Sequence, residues 1–351
     1  MLHALLLGAA LALQPSAPQP APQVSIKPPE AGSVVVFNKA QANGMLFRPG
    51  DAAASATVAV GDGPHEVAIS GGRAVVSNYG GPKPGSTLTV IDLKSFQPVK
   101  TISLGDYRRP HGLAFFKDGR HVLVTAEVNQ SLIQVNVDTG EVVKAWETGQ
   151  HGSHMVVLSP DEKTAYVTNV GSGSVTIIDL AASGPDAATT ITTAPGAEGL
   201  ALSPEGGELW VANNKSDSIS ILDTKAKAVT ATMACEKYPL RVAFTPDGKH
   251  VLAAASASGD IIVYDAATRK ELRRVATTPP EGADHDPLPP EGPFKDSPVP
   301  IGIAITPDGG RAYTACTATG TVACIDLSSW TVTSHLRAGK APDGIGLVPG
   351  V

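Results

Sequence analysis

Short segments of alternating hydrophobic and polar residues fill most of the chain, and turn-forming residues separate them. The segments 164–169 and 174–180, for example, are rich in β-branched residues and flank a Gly/Ser turn. This alternation predicts β-strands, because successive side chains of a strand point to opposite faces. The 36 glycines and 29 prolines argue against a helical bundle, since both residues interrupt helix interiors. The pattern therefore predicts an all-β protein.

A motif recurs seven times along the chain: an anchor residue, an alternating strand and a turn that in most repeats resembles Ser-Pro-Asp-Gly. The anchors are Pro64, Pro110, Ser153, Ala197, Pro239, Pro300 and Pro342. Five of the six spacings between anchors are 42–46 residues, and the remaining one is 61. A repeat of about 40–45 residues with strand-like content is typical of a β-propeller with one four-stranded blade per repeat. We therefore predict a seven-bladed β-propeller of antiparallel blades.

The last repeat is incomplete, because the anchor strand at 342–348 leaves no room for three more strands before the chain ends. The segments 33–38, 44–48 and 56–60 look like the second, third and fourth strands of a repeat. We expect the ring to be closed by these N-terminal strands pairing with the C-terminal strand. Such a closure leaves no open sheet edge.

The N-terminal region differs in composition from the repeats. Residues 4–13 form an apolar run that ends in a small-x-small pattern of the type that signal peptidases cut. A misassigned start codon is the alternative explanation of this run. Residues 14–31 are rich in Pro, Ala and Gln, which suits an extended linker. We expect a signal peptide at 1–13, a linker at 14–31 and a single propeller domain at 32–351, hence a periplasmic or secreted protein without a transmembrane segment in its mature form.

Charge and cysteine content narrow the class of protein. The chain has 27 basic and 33 acidic residues and 5% aromatic residues. Nucleic acid is therefore an unfavourable partner, because single strands bind in basic grooves with stacking rings. Cys235, Cys316 and Cys324 give an odd count, and the expected register does not place the last two opposite each other. We expect buried thiols rather than disulfides.

Two segments carry a resemblance to a known family. The sequences YVTNVGSGSVTIIDL at 166–180 and WVANNKSDSISILD at 210–223, with the SPDG-like turns, resemble the YVTN repeat of exported seven-bladed propellers. The resemblance covers residues 33–348 and implies a periplasmic or cell-surface protein, often without demonstrated catalysis. The WD40 signature is absent, since no Trp-Asp pair closes any repeat.

The residue after each anchor begins an inner strand, and in five repeats that residue is ionisable. These residues are His65, His111, His154, Glu198 and Asp343. In a closed ring they converge on one mouth of the central channel. Imidazole and carboxylate groups together suit a Zn, Cu, Fe or Mn ion. The alternative is a wet channel mouth that carries polar side chains without binding a metal.

Further candidates lie beside the same mouth. The long spacing contains an insertion at 278–298, whose His285 is flanked by two aspartates. The insertion is either a lid that adds His285 as a ligand or a tolerated surface extension. Arg241 lies in the fifth anchor strand, and Arg108 and Arg109 precede the second anchor. Their positive charge suits a small anionic ligand that carries a carboxylate or phosphate, although paired surface arginines without such a role are equally common.

These observations favour a monomeric binding scaffold whose partner is a small anionic ligand or a protein of the cell envelope. Two enzyme classes remain open. The Pro-His and SPDG-like strands also look similar to those of seven-bladed lactonases, which implies a lactone bound and opened by His111, His154, Glu198 and Arg241. The second class is a metal-dependent oxidoreductase built on His65, His111 and His154.

Overall fold

The structure, a computed structural model, describes residues 27–51, 53–281 and 292–349. Its strands form seven sheets of four antiparallel strands each. The innermost strands of consecutive sheets contact each other in a closed circle. The chain is thus an all-β, seven-bladed propeller, as the repeat predicts.

The strands follow the repeat. Three strands precede the first anchor: β1 (Val34–Asn38), β2 (Asn43–Phe47) and β3 (Ala56–Ala59). Blade 1 contains β4 (Pro64–Ser70), β5 (Arg73–Gly80), β6 (Pro84–Asp92) and β7 (Gln97–Ser103). Blade 2 contains β8 (Pro110–Phe115), β9 (His121–Ala126), β10 (Ser131–Asn136) and β11 (Val142–Glu147). Blade 3 contains β12 (Ser153–Leu158), β13 (Thr164–Asn169), β14 (Ser174–Asp179) and β15 (Ala188–Thr192).

The second half of the ring repeats this order. Blade 4 contains β16 (Ala197–Leu202), β17 (Glu208–Asn213), β18 (Ser218–Asp223) and β19 (Ala228–Ala234). Blade 5 contains β20 (Pro239–Phe244), β21 (His250–Ala255), β22 (Asp260–Asp265) and β23 (Glu271–Ala276). Blade 6 contains β24 (Pro300–Ile305), β25 (Arg311–Cys316), β26 (Thr321–Asp326) and β27 (Thr331–Arg337). Short 3-10 helices span Lys39–Gln41, Pro185–Ala187 and Gly292–Phe294.

The seventh blade joins the two ends of the propeller. Its inner strand is β28 (Pro342–Leu347), which pairs with β1 in antiparallel register. The sheet order β28-β1-β2-β3 confirms the predicted closure by N-terminal strands. Pairing of strands from opposite ends of the sequence leaves no unpaired inner edge between the first and last blades.

Each inner strand carries a β-bulge directly after its anchor. In blade 1, His65 and Glu66 together lie opposite Ser77 of β5. The same two-against-one register shift occurs in the other six blades. A bulge interrupts the alternation of side chains and re-aims them. Two consecutive residues of an inner strand, rather than one, can therefore reach the channel.

Glycine at the second bulge position lets neighbouring inner strands approach closely. Four blades have glycine there: Gly112, Gly199, Gly302 and Gly344. A Cβ on Gly112 would lie 2.6 Å from the carbonyl oxygen of His154, and one on Gly302 would lie 2.5 Å from that of Asp343. Both distances are shorter than carbon–oxygen packing allows, so the close approach requires the missing side chain.

Replacement of Gly302 by alanine should therefore lower the free energy of unfolding by about 1–3 kcal/mol through overpacking. Gly207→Ala is the matched control, because a Cβ at this exposed glycine would meet no atom within 4 Å. The control should change stability by less than about 0.5 kcal/mol. Chemical denaturation of both variants measures the difference, and equal effects would show that the inner strands do not constrain this position.

Hydrophobic side chains fill the space between adjacent blades. Trp210 of blade 4, for example, packs against Phe244 and Tyr264 of blade 5.

The three cysteines are buried and free, as expected from their number and register. In the described part of the chain, no helix is long and apolar enough to cross a membrane.

Candidate functional site

The first residues of the inner strands meet at one end of the channel. The group that we call the channel cluster consists of His65, Glu66, His111, His154, Glu198, Arg241 and Asp343. Two of the inner strands accept a hydrogen bond from a buried hydroxyl group of the preceding blade. Thr125 donates a 2.6 Å hydrogen bond to the carbonyl oxygen of His154, and Thr168 donates one of 2.7 Å to that of Glu198. These bonds fix the backbone from which the two side chains project.

His111 occupies the centre of a stack of three imidazole rings. Its ring centroid lies 4.1 Å from that of His65 and 3.6 Å from that of His154. The residue is fully buried, and neither of its ring nitrogens has a hydrogen-bond partner among the described residues. Buried polar atoms without partners are rare in native proteins and call for an explanation such as a bound ion.

The surroundings of His111 keep its ring neutral. Burial lowers the pKa of His111 well below its usual value, and the charges of His154, His65 and Arg241 lower it further. A neutral imidazole has a free lone pair on one nitrogen, which is the form that binds metal ions. The ring is therefore in the protonation state that ligation requires.

Unlike His111, His154 lies between two carboxylates. Its Nε2 atom lies 2.7 Å from Oε1 of Glu198, and its Nδ1 atom lies 3.8 Å from Oε2 of Glu127. Burial opposes the charged ring, but the two carboxylates outweigh burial and raise the pKa of His154 to about 9. Burial likewise opposes ionisation of Glu198, but His154 and Arg241 lower its pKa to about 2. His154 and Glu198 thus form a buried ion pair at neutral pH.

Arg241 spans the channel. Its Nη2 atom lies 2.6 Å from Oε1 of Glu66, and its Nη1 atom lies 3.2 Å from Oε1 of Glu198. Blade 5, which carries Arg241, and blade 1, which carries Glu66, are not neighbours in the ring. The guanidinium therefore links opposite sides of the mouth and shares its positive charge between two largely buried carboxylates.

Asp343 pairs with two basic side chains on the other side of the stack. Its Oδ2 atom lies 2.6 Å from Nδ1 of His65 and 2.9 Å from Nζ of Lys39. Burial would raise the pKa of Asp343, but the positive charges of His65 and Lys39 hold it far below its usual value. The carboxylate is ionised and already has counter-charges from the protein.

Three donor atoms of the cluster are close enough to share one metal ion. Ligand atoms of His65, Glu66 and His111 lie within 4.8 Å of one another. Metal–ligand bonds of about 2.0–2.2 Å to imidazole and carboxylate are compatible with this spacing. Two imidazoles and one carboxylate leave coordination positions open, as in metal sites that bind a further ligand.

An aromatic side chain borders the stack. Tyr79 directs its ring edge-on towards His65 and His111, with centroids 5.1 and 5.6 Å away. Its hydroxyl donates a 2.9 Å hydrogen bond to Glu127, and the guanidinium of Arg109 lies 4.5 Å from its ring centroid. Burial and the negative charge of Glu127 raise the pKa of Tyr79 to about 12. The phenol therefore stays protonated and holds its position beside the two imidazoles.

The structure brings together His65, His111, His154, Glu198, Arg241 and Asp343, but their partners differ from the expected set. His154 and Glu198 pair with each other, and Asp343 pairs with His65 and Lys39, so the histidines and acids do not all converge on one shared ion. Arg108 bonds to the carbonyl oxygen of Gly105, outside the cluster. His285 lies outside the described residues.

Glu66 was missed by the sequence reasoning, because strict alternation places it on the strand face opposite to His65. The residue type at the second bulge position is the sequence feature that could have revealed Glu66. At the second bulge position four blades have glycine, whereas Glu66 and Arg241 are charged. Charged residues at a position that is otherwise glycine or, in blade 3, Met155 would have identified both members of the bridge across the channel.

Neither a protein-family model nor a curated protein matches the chain. Among solved structures, the chain is similar to the hydrazine synthase of Kuenenia stuttgartiensis, with a TM-score of 0.68 and 18% identity over 82% of this chain and 90% of that one. It is also similar to a functionally unknown protein from Desulfotomaculum acetoxidans, with a TM-score of 0.72 and 12% identity over 92% of this chain and all of that one. Likenesses at this level of identity show that the chain shares the propeller fold of known structures.

Proposed function

We propose that this propeller is a binding protein whose channel mouth holds a divalent transition-metal ion through His65, Glu66 and His111. The observation that carries the proposal is the central imidazole of His111, which is buried and neutral and has no hydrogen-bond partner for either nitrogen within the described ranges. Zn, Cu, Fe and Mn all accept this donor set. A mouth that was merely polar would expose its side chains to water or pair them, as the rest of the cluster does.

The proposal includes export as a YVTN-type propeller. Support comes from the apolar run at 4–13, the Pro-rich segment at 14–31 and the repeat sequences at 166–180 and 210–223. An envelope location would expose the site to metal ions and small ligands outside the cytoplasm. Fractionation of cells that express the full chain tests this part, and recovery of unprocessed protein in the cytoplasm would contradict it.

Metal analysis tests the site directly. Protein purified without chelator and then dialysed should contain about one equivalent of Zn, Cu, Fe or Mn per chain. His111→Ala should lose this metal, because it removes the buried donor at the centre of the three ligands. The control is His151→Ala, since His151 is exposed on the same end of the propeller and its ring forms a hydrogen bond with Gln130, outside the channel cluster. A metal-free wild type that also fails to take up added ions would overturn the proposal.

A hydrolytic or redox enzyme is the second candidate, and the open coordination positions favour it. A bound metal ion lowers the pKa of a coordinated water and makes it a nucleophile at neutral pH. The lactonase-like version assigns lactone opening to His111, His154, Glu198 and Arg241. It predicts acid release from a panel of lactones by the metal-loaded protein, and equal rates in wild type and His154→Ala would exclude it.

A further inference from the structure

The channel mouth has an apolar side as well as an ionic one. At the positions where other blades carry histidine or acid, blades 5 and 6 carry Leu240 and Ile301. These two side chains form an apolar group with Val299, and Tyr238 and Phe294 pack against it. The rings of Tyr238 and Phe294 meet edge to face, with centroids 5.1 Å apart. We call these five residues the apolar wall.

The apolar wall adjoins the channel cluster. Leu240 directly precedes Arg241, whose guanidinium reaches both Glu66 and Glu198. Burial and the nearby negative charge of Glu198 raise the pKa of Tyr238, so the phenol lies within electrostatic range of the cluster. Through Arg241, which contacts Glu66, the apolar wall therefore borders the same channel mouth as the proposed metal site.

The described end of the insertion contributes to the wall. Phe294 ends the 3-10 helix Gly292–Phe294, which lies within the insertion at 278–298. The hydroxyl of Ser297 donates a 2.6 Å hydrogen bond to the carbonyl oxygen of Ser256 in blade 5. Its oxygen in turn accepts a 2.9 Å hydrogen bond from the backbone N–H of Val299. These contacts fix the end of the insertion against the mouth, where its aromatic ring extends the apolar surface.

The charges around the cluster indicate which group of a ligand would bind at the metal. Four cationic side chains face four carboxylates, namely Lys39, Arg109, His154 and Arg241 against Glu66, Glu127, Glu198 and Asp343. The set is balanced, so a divalent ion adds two positive charges that the protein does not compensate. Because an uncompensated charge in a buried site is costly, the open coordination positions favour an anion.

We infer that the ligand of this site is a small organic carboxylate with an apolar body. The inference rests on the proposed metal site. The carboxylate completes the metal coordination and offsets the excess charge, and the apolar body lies against Leu240, Ile301 and the rings of Tyr238 and Phe294. Inorganic anions satisfy the first requirement but leave the wall without a partner.

A homologous series of carboxylates tests the inference. The full chain is loaded with one equivalent of Cu²⁺ and titrated with acetate, butyrate, hexanoate and phenylacetate. Calorimetry gives the affinity, and the copper d–d absorption reports coordination. The dissociation constant should fall by about three- to fourfold for each added methylene that the wall buries. Phenylacetate should bind more tightly than acetate for the same reason.

Variants of the wall separate its role from that of the metal. Leu240→Thr and Ile301→Thr should weaken hexanoate binding at least tenfold while leaving copper stoichiometry and acetate affinity unchanged. Leu272→Thr is the control, because Leu272 is a 50% exposed residue on the outer strand β23. If the protein binds copper but binds every carboxylate of the series with the same affinity, the inference alone is overturned. Failure to bind copper would overturn both the metal site and the inference.

Discussion

Replacement of Arg241 by methionine should lower the free energy of unfolding by about 3–5 kcal/mol, because it leaves buried carboxylates without their counter-charge. The side chain of Arg241 is only 8% exposed, and its partners Glu66 and Glu198 are 14% and 13% exposed. Without the guanidinium, Glu66 loses its ion-pair partner and Glu198 keeps only His154 as a cationic partner. Chemical denaturation at pH 7 in the presence of EDTA measures the loss without a contribution from bound metal.

Two further variants identify the cause of that loss. Arg274→Met breaks an ion pair with Glu271 at 2.8 Å, but both side chains are 39% exposed, so it should cost less than about 1 kcal/mol. The double variant Arg241→Met/Glu66→Gln should recover part of the stability, because the neutral amide no longer needs a counter-charge. A cost for Arg241→Met no larger than that for Arg274→Met would show that the bridge across the channel is not a buried charge pair.

The fold could be predicted because its signals are local or periodic. Alternation of side chains marks each strand, the spacing of the anchors counts the blades, and the incomplete last repeat requires the closure between β28 and β1. The same repeat correctly placed His65, His111 and His154 at one mouth, since equivalent positions of a ring must lie at equivalent heights. The sequence also located ionisable residues of three more blades beside them, namely Glu198, Arg241 and Asp343.

The pairing of those residues could not be predicted, because it depends on distances that the repeat does not encode. The bridge from Arg241 to Glu66 joins residues 175 positions apart and requires a bulge that turns Glu66 into the channel. Lys39 reaches Asp343 from a turn between two N-terminal strands. These contacts decide which groups are neutralised by the protein, whereas both ring nitrogens of His111 have no hydrogen-bond partner in the described part of the chain.

Protonation of two stacked histidines should give the metal-free protein a stability maximum near pH 6.5. His154 accounts for the alkaline side. Its pKa rises from the ordinary 6.5 to about 9 in the folded state, so its contribution is complete below pH 6.5. Between pH 6.5 and 9 the folded protein keeps this proton while the unfolded chain has lost it. Stability should therefore fall by about 3 kcal/mol as the pH rises through this window.

His111 accounts for the acidic side of the maximum. Its folded-state pKa lies well below 6.5, so below pH 6.5 the unfolded chain takes up a proton that the folded protein does not. Stability should fall by up to about 1.4 kcal/mol for each pH unit below 6.5. His154 adds nothing there, because both states hold its proton. Measurements that stay above pH 5 also keep clear of Glu198, whose pKa shifts from 4.5 to about 2.

Denaturation of wild type and two variants between pH 5 and 9 in EDTA separates the two sides of the curve. His111→Phe keeps a planar ring and should abolish the fall below pH 6.5 while retaining the fall above it. His154→Gln keeps a polar group beside Glu198 and should flatten the alkaline side only. Because the slope with pH is the readout, a uniform loss of stability in either variant does not confuse the result. A wild-type curve without a maximum, or one whose two sides respond to the same variant, would show that these imidazoles do not hold opposite protonation states within one stack.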